Sequence, residues 1–161
     1  MGSNNHKKRE TKHSHLIQGT LPIIYVIIWI LDTQIFSFSN ILDRFIPFIA
    51  RLVIFIILLS LALVLMKLSL DALFEGMEPS DTLIVKGILD RVRNPMYLGI
   101  LLIYVSFIFL SISLICVALF IVVVLIYNKI VNFEENILEE LFGDDYLTYK
   151  RRVRKWIPKL F

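Results

Sequence analysis

The fold is decided by the stretch Tyr97–Tyr127, YLGILLIYVSFIFLSISLICVALFIVVVLIY, which contains no charged residue. As one straight helix its 31 residues would be about 46 Å long, whereas a hydrocarbon core of about 30 Å needs only about 20 residues. The polar triplet Ser111-Ile112-Ser113 lies near its middle. We therefore predict a turn at the triplet between two short or tilted helices. A single strongly tilted helix is the alternative.

Two further apolar blocks precede this stretch. Leu16–Leu31 is interrupted only by a few small or polar residues, and Phe45–Leu70 carries Arg51 and Lys67 near its ends, where long cationic side chains reach the interface. The chain is 57% hydrophobic and 19% charged, with a mean hydropathy of +0.74, which is unlike a soluble domain. The sequence predicts an all-α integral membrane bundle in one domain, residues 1–161, with about four transmembrane helices, the last two forming a hairpin.

The cations predict the orientation of this bundle. They concentrate in a basic N-terminal tail, residues 1–15, and in the tail after residue 128, so the positive-inside rule places both termini in the cytoplasm. The segment 71–94 then returns to the cytoplasmic side, and residues 71–161 contain both long polar segments of that side. The net charge of +3 comes from cations that flank the spans, which indicates contact with anionic lipids and not with nucleic acid.

Composition excludes several kinds of site. The single cysteine, Cys116, excludes a disulfide framework, a zinc ribbon and a CxxC redox pair, and we interpret it as a packing residue. The three histidines all lie within the first fifteen residues, which removes His-based catalytic triads and most His-based metal sites from the rest of the chain. We expect no metal.

The first polar segment ends in Arg93-Asn94-Pro95. Asn-Pro marks a turn, and Pro95 suits the first turn of the next helix, whose free N–H groups can receive a polar or anionic ligand. The alternative is that Asn94 only caps the helix while Arg93 binds a lipid phosphate.

The second polar segment follows the hairpin. We expect its helix to end near Phe142 with Gly143 as cap, and a short cytosolic amphipathic helix to run from Asp144 until Pro158 halts it. That helix would present four residues to the membrane surface: Tyr146, Tyr149, Val153 and Trp156.

Glu134 shares a helix face with Ile130, Leu138 and Leu141 and should point toward protein. A carboxylate in that position needs a partner, either Arg93 or Lys86 or a cationic ligand.

The two segments together resemble the isoprenylcysteine carboxyl methyltransferase family, a relative of the phospholipid N-methyltransferases. The resemblance rests on Arg93-Asn94-Pro95-Met96-Tyr97-Leu98-Gly99, then the hairpin, then Glu134-Glu135-x-x-Leu138-x-x-x-Phe142-Gly143-x-x-Tyr146-x-x-Tyr149 and a late Pro158. It covers roughly residues 80–160, and the first two spans carry no signature.

The resemblance implies a membrane enzyme that transfers a methyl group from S-adenosylmethionine to a lipidic or otherwise hydrophobic acceptor. Carried over by position, it makes residues 71–161 the cofactor-binding half of the chain. It implies ten cofactor-binding residues: Asp81, Thr82, Leu83, Ile84, Leu89, Asn94, Pro95, Met96, Tyr97 and Glu134. An ammonium or sulfonium suits Glu134, and an apolar wall suits adenine.

The chain departs from the family at Asp81, Leu89 and Asn94, where the family usually has His, Tyr and His. The arginine that binds the acceptor's carboxylate in the family corresponds to Ile130, next to Lys129. These two positions and Arg93 are the substrate-binding positions that the resemblance implies. There are two other interpretations. One is an amine or thiol methyltransferase acting on a phospholipid or a small hydrophobic acceptor, and the other is a non-catalytic membrane protein with the same fold.

Overall fold

The computed structural model describes residues 2–36, 45–74 and 83–157. Within these ranges the chain is helical and has no β-strand. Helix α1 spans Gly2–Ile30 and continues as a π-helical segment, Leu31–Phe36; the others are α2, Phe48–Phe74, α3, Pro95–Ser111, and α4, Leu114–Arg152. A short 3₁₀ turn, Gly87–Asp90, precedes α3. The expected all-α bundle is confirmed.

Three of the helices are long and apolar enough to cross a membrane: Leu16–Ile35, Phe48–Leu73 and the helix Leu114–Arg152. Helix α3 is as apolar but has 17 residues, which is about 25 Å of helix and slightly less than a full hydrocarbon core. Along α2 most large apolar side chains are exposed on the outside of the bundle, among them Ile49, Ile57 and Leu61. A surface of that kind is expected where lipid surrounds the protein.

The predicted turn joins α3 to α4. Ile112 is left-handed, with φ 49° and ψ 37°, and the Ser113 side chain accepts a hydrogen bond from the backbone N–H of Cys116 as the N-cap of α4. The long apolar stretch is therefore two helices and not one tilted rod.

Helix α3 packs most closely against α2, and a glycine makes this approach possible. A Cβ atom on Gly99 would lie 2.7 Å from the Met66 Cγ and 2.9 Å from the Ala62 carbonyl oxygen. At the other end of the pair, Arg51 donates a hydrogen bond of 3.3 Å to the Leu110 carbonyl oxygen. These contacts hold the start of α3 in a fixed place beside the end of α2.

The core has two parts. The larger one lies between α1, α3 and α4 and is rich in tyrosine; its buried members are Tyr25, Leu101, Tyr104, Cys116, Val123, Tyr127 and Ile130. The smaller one is formed by Tyr146, Tyr149 and Val153 packed against the loop before α3 and the middle of α4. Cys116 is fully buried in the larger part, as a packing residue would be.

The end of α4 differs from the prediction. Gly143 breaks the helical geometry with φ 53° and ψ −125°, and the following turns fold back onto the protein. Tyr146, Tyr149 and Val153 are at most 7% exposed, so the prediction that they lie on the membrane surface is wrong. The helix ends at Arg152, ahead of Pro158, which lies outside the described residues.

Candidate functional site

The two polar segments are tied together at one end of the bundle. The backbone N–H of Arg93 donates to the Arg154 carbonyl oxygen at 3.0 Å, and the Tyr149 hydroxyl donates to the Leu89 carbonyl oxygen at 2.7 Å. Apolar contacts accompany these hydrogen bonds: Leu83 and Val85, from the loop before α3, pack against Tyr146 and Tyr149. The loop before α3 and the end of α4 therefore form one continuous wall.

Glu134 lies at the centre of this wall. Its Oε1 atom accepts a hydrogen bond of 2.5 Å from the Tyr97 hydroxyl and one of 3.4 Å from the Gln18 side-chain amide. The Gln18 amide also donates to the Tyr97 hydroxyl oxygen at 2.7 Å. Three helices, α1, α3 and α4, thus contribute one residue each to a polar cluster that contains a carboxylate. Charge-assisted bonds of this kind are the stronger ones in proteins and fix the carboxylate in place.

Glu135 forms a second cluster behind the first. Its Oε1 atom accepts a hydrogen bond of 3.0 Å from the Asn94 amide and lies 3.4 Å from Nη2 of Arg93. The Arg93 and Glu135 side chains are only 9% and 6% exposed. Asn94 is the N-cap residue of α3, but its side chain makes no capping hydrogen bond and donates to Glu135 instead, so Asn94 does more than cap the helix. Arg93 pairs with Glu135. The alternative in which Arg93 is the partner of Glu134 is therefore wrong.

Arg93 has hydrogen-bonding capacity to spare. Its Nε and Nη1 atoms are buried and have no hydrogen-bond partner within residues 2–36, 45–74 and 83–157. A buried guanidinium with unused N–H groups is costly unless an anion binds it. Arg93 lines the cavity described next, so its guanidinium brings a positive charge to the site.

The two clusters face a cavity of about 590 Å³, within the range of small-molecule sites. Its floor is the first turn of α3, where N–H groups lack helical partners and the helix dipole is positive. Its remaining wall is apolar and is formed by Leu83, Ile84, Leu89, Leu138, Phe142 and Tyr146. The site therefore combines one carboxylate, one guanidinium and an apolar slot.

Most of the predicted site residues lie around this cavity. Those that line it are Leu83, Ile84, Leu89, Arg93, Asn94, Pro95, Met96, Tyr97 and Glu134. Asp81 and Thr82 lie outside the described residues. Lys129 and Ile130 do not line the cavity: Lys129 is exposed, and Ile130 is 6% exposed within the larger core. The prediction that Leu141 shares the inward face of Glu134 is wrong, since Leu141 is 69% exposed.

The cavity is also lined by residues that the sequence analysis did not assign to the site. Gln18 and Ser69 line it although they precede residues 71–161, and Tyr146 and Tyr149 line it from the end of α4. The one signal for Gln18 was its polarity within the first apolar block. Among the described residues, no group of three or more His, Cys, Asp and Glu is placed to hold a metal ion.

The arrangement suits a zwitterionic or cationic ligand with an apolar ring. The Glu134 carboxylate attracts a positive group, the Arg93 guanidinium attracts a negative group, and the apolar slot accepts a flat hydrophobic moiety. The described residues that line the cavity can therefore bind, orient and shield reactants.

Comparison with known proteins gives one match. The family model described as phospholipid methyltransferase (PEMT) matches residues 46–145. No curated protein and no solved structure matches the chain. The matched residues run from the start of α2 to just beyond the kink at Gly143 and include both glutamates of the site.

Proposed function

The chain belongs to the phospholipid methyltransferase family, a family of membrane methyltransferases, and on this premise we propose that its cavity binds S-adenosylmethionine and that its methyl acceptor is lipidic. The observation that supports the proposal most is the meeting of Glu134 with residues 83–97 around one cavity. These residues are distant in sequence and are the ones on which the resemblance to the carboxyl methyltransferases depends.

The residues present fit this cofactor. S-adenosylmethionine carries an ammonium and a sulfonium, for which Glu134 is a carboxylate of the cavity, and a carboxylate, for which Arg93 is a guanidinium of the cavity. Leu83, Ile84 and Phe142 provide an apolar wall of the kind that stacks against adenine. The volume of about 590 Å³ leaves room for the reacting end of an acceptor.

When bound, the cofactor supplies a methyl group already activated by its sulfonium. The residues of the chain then have three tasks. Glu134 and Arg93 orient the cofactor, the apolar wall excludes water, and the first turn of α3 forms the floor of the cavity. Orientation and water exclusion together lower the barrier of a reaction by several kcal/mol. In the best intramolecular reactions the effect is about 7–11 kcal/mol. An attacking group becomes more reactive when water is removed from it, and a cavity at the membrane boundary removes that water.

An amine of a lipid headgroup is the acceptor that we favour. The position at which the carboxyl methyltransferases hold the acceptor's carboxylate is Ile130, and Ile130 is buried in the core away from the cavity. Carboxyl methylation is the second candidate, because Arg93 has N–H groups that could hold a carboxylate. In the proposed orientation both termini are cytoplasmic, so the cofactor enters from the cytosol and the acceptor from the bilayer.

Calorimetry with S-adenosylhomocysteine tests cofactor binding. We expect the purified protein in detergent to bind it, and the Glu134→Gln variant to bind about 10- to 100-fold more weakly, the value of a hydrogen bond to a charged group. The matched control is Glu139→Gln on the same helix; Glu139 pairs with Lys150 at 3.0 Å and does not line the cavity. Absence of binding at millimolar ligand, or equal losses in both variants, would refute the proposal.

Transfer of a radiolabelled methyl group tests the acceptor. Aminolipid, prenylcysteine and thiol acceptors are offered in separate reactions, and we expect label in the aminolipid. Label in prenylcysteine alone would select the second candidate. Cofactor binding without transfer to any of the three would favour a non-catalytic membrane protein that keeps the fold.

A further inference from the structure

A further cluster of polar side chains lies outside the cavity, where α4 leaves its apolar stretch. The Lys155 ammonium, from the segment after α4, donates to the Oδ1 atom of Asn128 at 2.8 Å and to that of Asn132 at 2.6 Å. Lys129 is exposed beside them on the same helix. None of these four residues lines the cavity next to Glu134. We call Asn128, Lys129, Asn132 and Lys155 the lysine–asparagine patch.

The patch continues an apolar surface of α4. The charge-free run ends at Tyr127, so Asn128 and Lys129 are the first polar residues after it. Leu125 precedes these two residues by three and four positions, spacings at which side chains are neighbours on a helix surface. Leu125 is 65% exposed, and Ile121, one turn before it, is exposed as well. A lipid whose polar group reached the patch would therefore have its acyl chains against Leu125 and Ile121.

The patch presents positive charge and hydrogen-bond donors. Each amide oxygen accepts a hydrogen bond from Lys155, which leaves the amide N–H groups as donors toward a ligand. The carboxylate that acts on Lys155 from within the protein is Glu135, and Glu135 already pairs with Arg93. Burial lowers the pKa of Lys155, because the ammonium loses water, so an adjacent anion would stabilise its charged form. This chemistry suits a phosphate group.

The backbone around Lys155 is held in place by the start of α3. The Asn94 side-chain amide donates to the Lys155 carbonyl oxygen at 3.4 Å, and the Arg93 N–H donates to the carbonyl oxygen of the preceding residue at 3.0 Å. The ring of Trp156 lies 5.4 Å from the Lys155 Nζ atom and packs against the larger core. Tryptophan is typical of membrane interfaces, which agrees with a patch at the level of lipid headgroups.

We infer that the lysine–asparagine patch binds the phosphate group of an anionic phospholipid whose acyl chains lie along Leu125 and Ile121. This lipid is distinct from the methyl acceptor, because the patch lies outside the cavity, and the inference does not depend on the proposed function. A free phosphate would use the same donors but gain nothing from the exposed apolar surface next to them. A zwitterionic lipid lacks the net charge that the two lysines attract, and the patch has no carboxylate for its ammonium.

Fluorescence of Trp156 tests the inference, because this residue lies beside the patch. The chain has two tryptophans, and Trp29→Phe leaves Trp156 as the reporter. The full chain in mixed micelles receives phosphatidylglycerol or phosphatidylcholine with brominated acyl chains, which quench tryptophan at short range. We expect phosphatidylglycerol to reach half of its full quenching at a mole fraction about 5- to 25-fold lower than phosphatidylcholine. This ratio is the value of one to two lysines near a membrane surface.

Three charge-removing variants locate the binding. Lys155→Gln and Lys129→Gln should each raise the half-quenching mole fraction of phosphatidylglycerol about fivefold. The matched control is Lys67→Gln, which removes an exposed cation from α2 and should change this mole fraction less than about twofold. Lys129 is exposed, so its replacement leaves the fold intact even if Lys155→Gln disturbs the segment after α4. Equal quenching by the two lipids, or equal losses in Lys129→Gln and Lys67→Gln, would overturn the inference.

Competition with inorganic phosphate distinguishes a lipid site from a site for free phosphate. The quenching by phosphatidylglycerol is measured again with added sodium phosphate and, for comparison, with sodium chloride at the same ionic strength. We expect the two salts to weaken the quenching equally, because both only screen the charge of the lysines. A stronger effect of phosphate that disappears in Lys155→Gln would overturn the assignment to a lipid and identify a site for the free anion.

Discussion

The pair Arg93–Glu135 allows the sharpest test of how the site is held together. Both side chains are more than nine-tenths buried, and the pair lies behind the proposed cofactor cavity. The variant Glu135→Ala removes the only charge that offsets the guanidinium among its described contacts. A buried charge that loses its partner costs about 3–5 kcal/mol. For a chain of this size that corresponds to a fall in unfolding temperature of roughly 6–20 °C, at about 2–4 °C per kcal/mol.

The neighbouring helical turn provides the control. Glu139 pairs with Lys150 at a similar distance of 3.0 Å, but the two side chains are 37% and 36% exposed. A half-exposed pair contributes at most about 1 kcal/mol, so Glu139→Ala should lower the unfolding temperature by no more than about 4 °C. Intrinsic fluorescence during heating in one detergent measures both variants. If the two shifts were equal, burial would not be what makes the Arg93–Glu135 pair important.

A double replacement separates stability from binding. Arg93→Met combined with Glu135→Leu removes both charges and leaves apolar side chains of similar length, a change that is often neutral or stabilising at buried ion pairs. We expect the double variant to regain most of the unfolding temperature lost in Glu135→Ala but to bind S-adenosylhomocysteine poorly, because the guanidinium is absent. Recovery of stability together with unchanged affinity would show that Arg93 has no part in binding the ligand.

Four further variants test the packing around the site. Gly99→Ala brings a methyl group against Met66 and a backbone carbonyl of α2 and should destabilise the protein by about 1–3 kcal/mol, whereas Gly19→Ala meets no atom within 4 Å and should stabilise it by about 0.5–1 kcal/mol; chemical unfolding in mixed micelles measures both. Gly143→Ala forces a side chain into positive φ and should cost about 1–2 kcal/mol, with a loss of S-adenosylhomocysteine affinity if the kink positions the cavity wall. Tyr149→Phe leaves a buried carbonyl unpaired and should cost about 1–3 kcal/mol in the same assay; an unchanged stability would contradict the importance of that bond.

The parts of the fold that were predictable from sequence are those set by local chemistry. A charge-free run too long for one crossing requires a turn, and a pair of serines around Ile112 supplies a left-handed residue with a capping hydroxyl next to it. Likewise Pro95 suits the first turn of a helix, because the N–H group that it lacks has no partner there. Such features depend on a few adjacent residues, so one sequence is enough to recognise them.

The wall formed by the end of α4 was not predictable, for a physical reason. An amphipathic segment with tyrosines on one face can bury that face in lipid or in protein, and its sequence pattern is the same in both cases. The direction is decided by the backbone at Gly143, whose φ of 53° and ψ of −125° turn Tyr146 and Tyr149 onto the loop before α3. Glycine permits many backbone angles, so its presence indicates a break but not its direction.

The two glutamates illustrate the same limit at the site. The side chains of successive helical residues point about 100° apart. If α4 is given a single inward face, Glu134 lies on it and Glu135 does not. Helix α4 is enclosed by other elements on more than one side, and each carboxylate therefore finds its own donors: Tyr97 and Gln18 for Glu134, Arg93 and Asn94 for Glu135. The like charges of adjacent glutamates are tolerated because each is compensated separately.

The involvement of α1 follows from the same geometry. The matched family region begins at residue 46, yet the amide of Gln18 contacts both Tyr97 and Glu134 and lines the cavity beside them. A carboxylate at the boundary of a bilayer needs more donors than one tyrosine provides, and the first helix is the element that brings another. Gln18 therefore helps to hold the Glu134 carboxylate from a helix that lies outside the matched region.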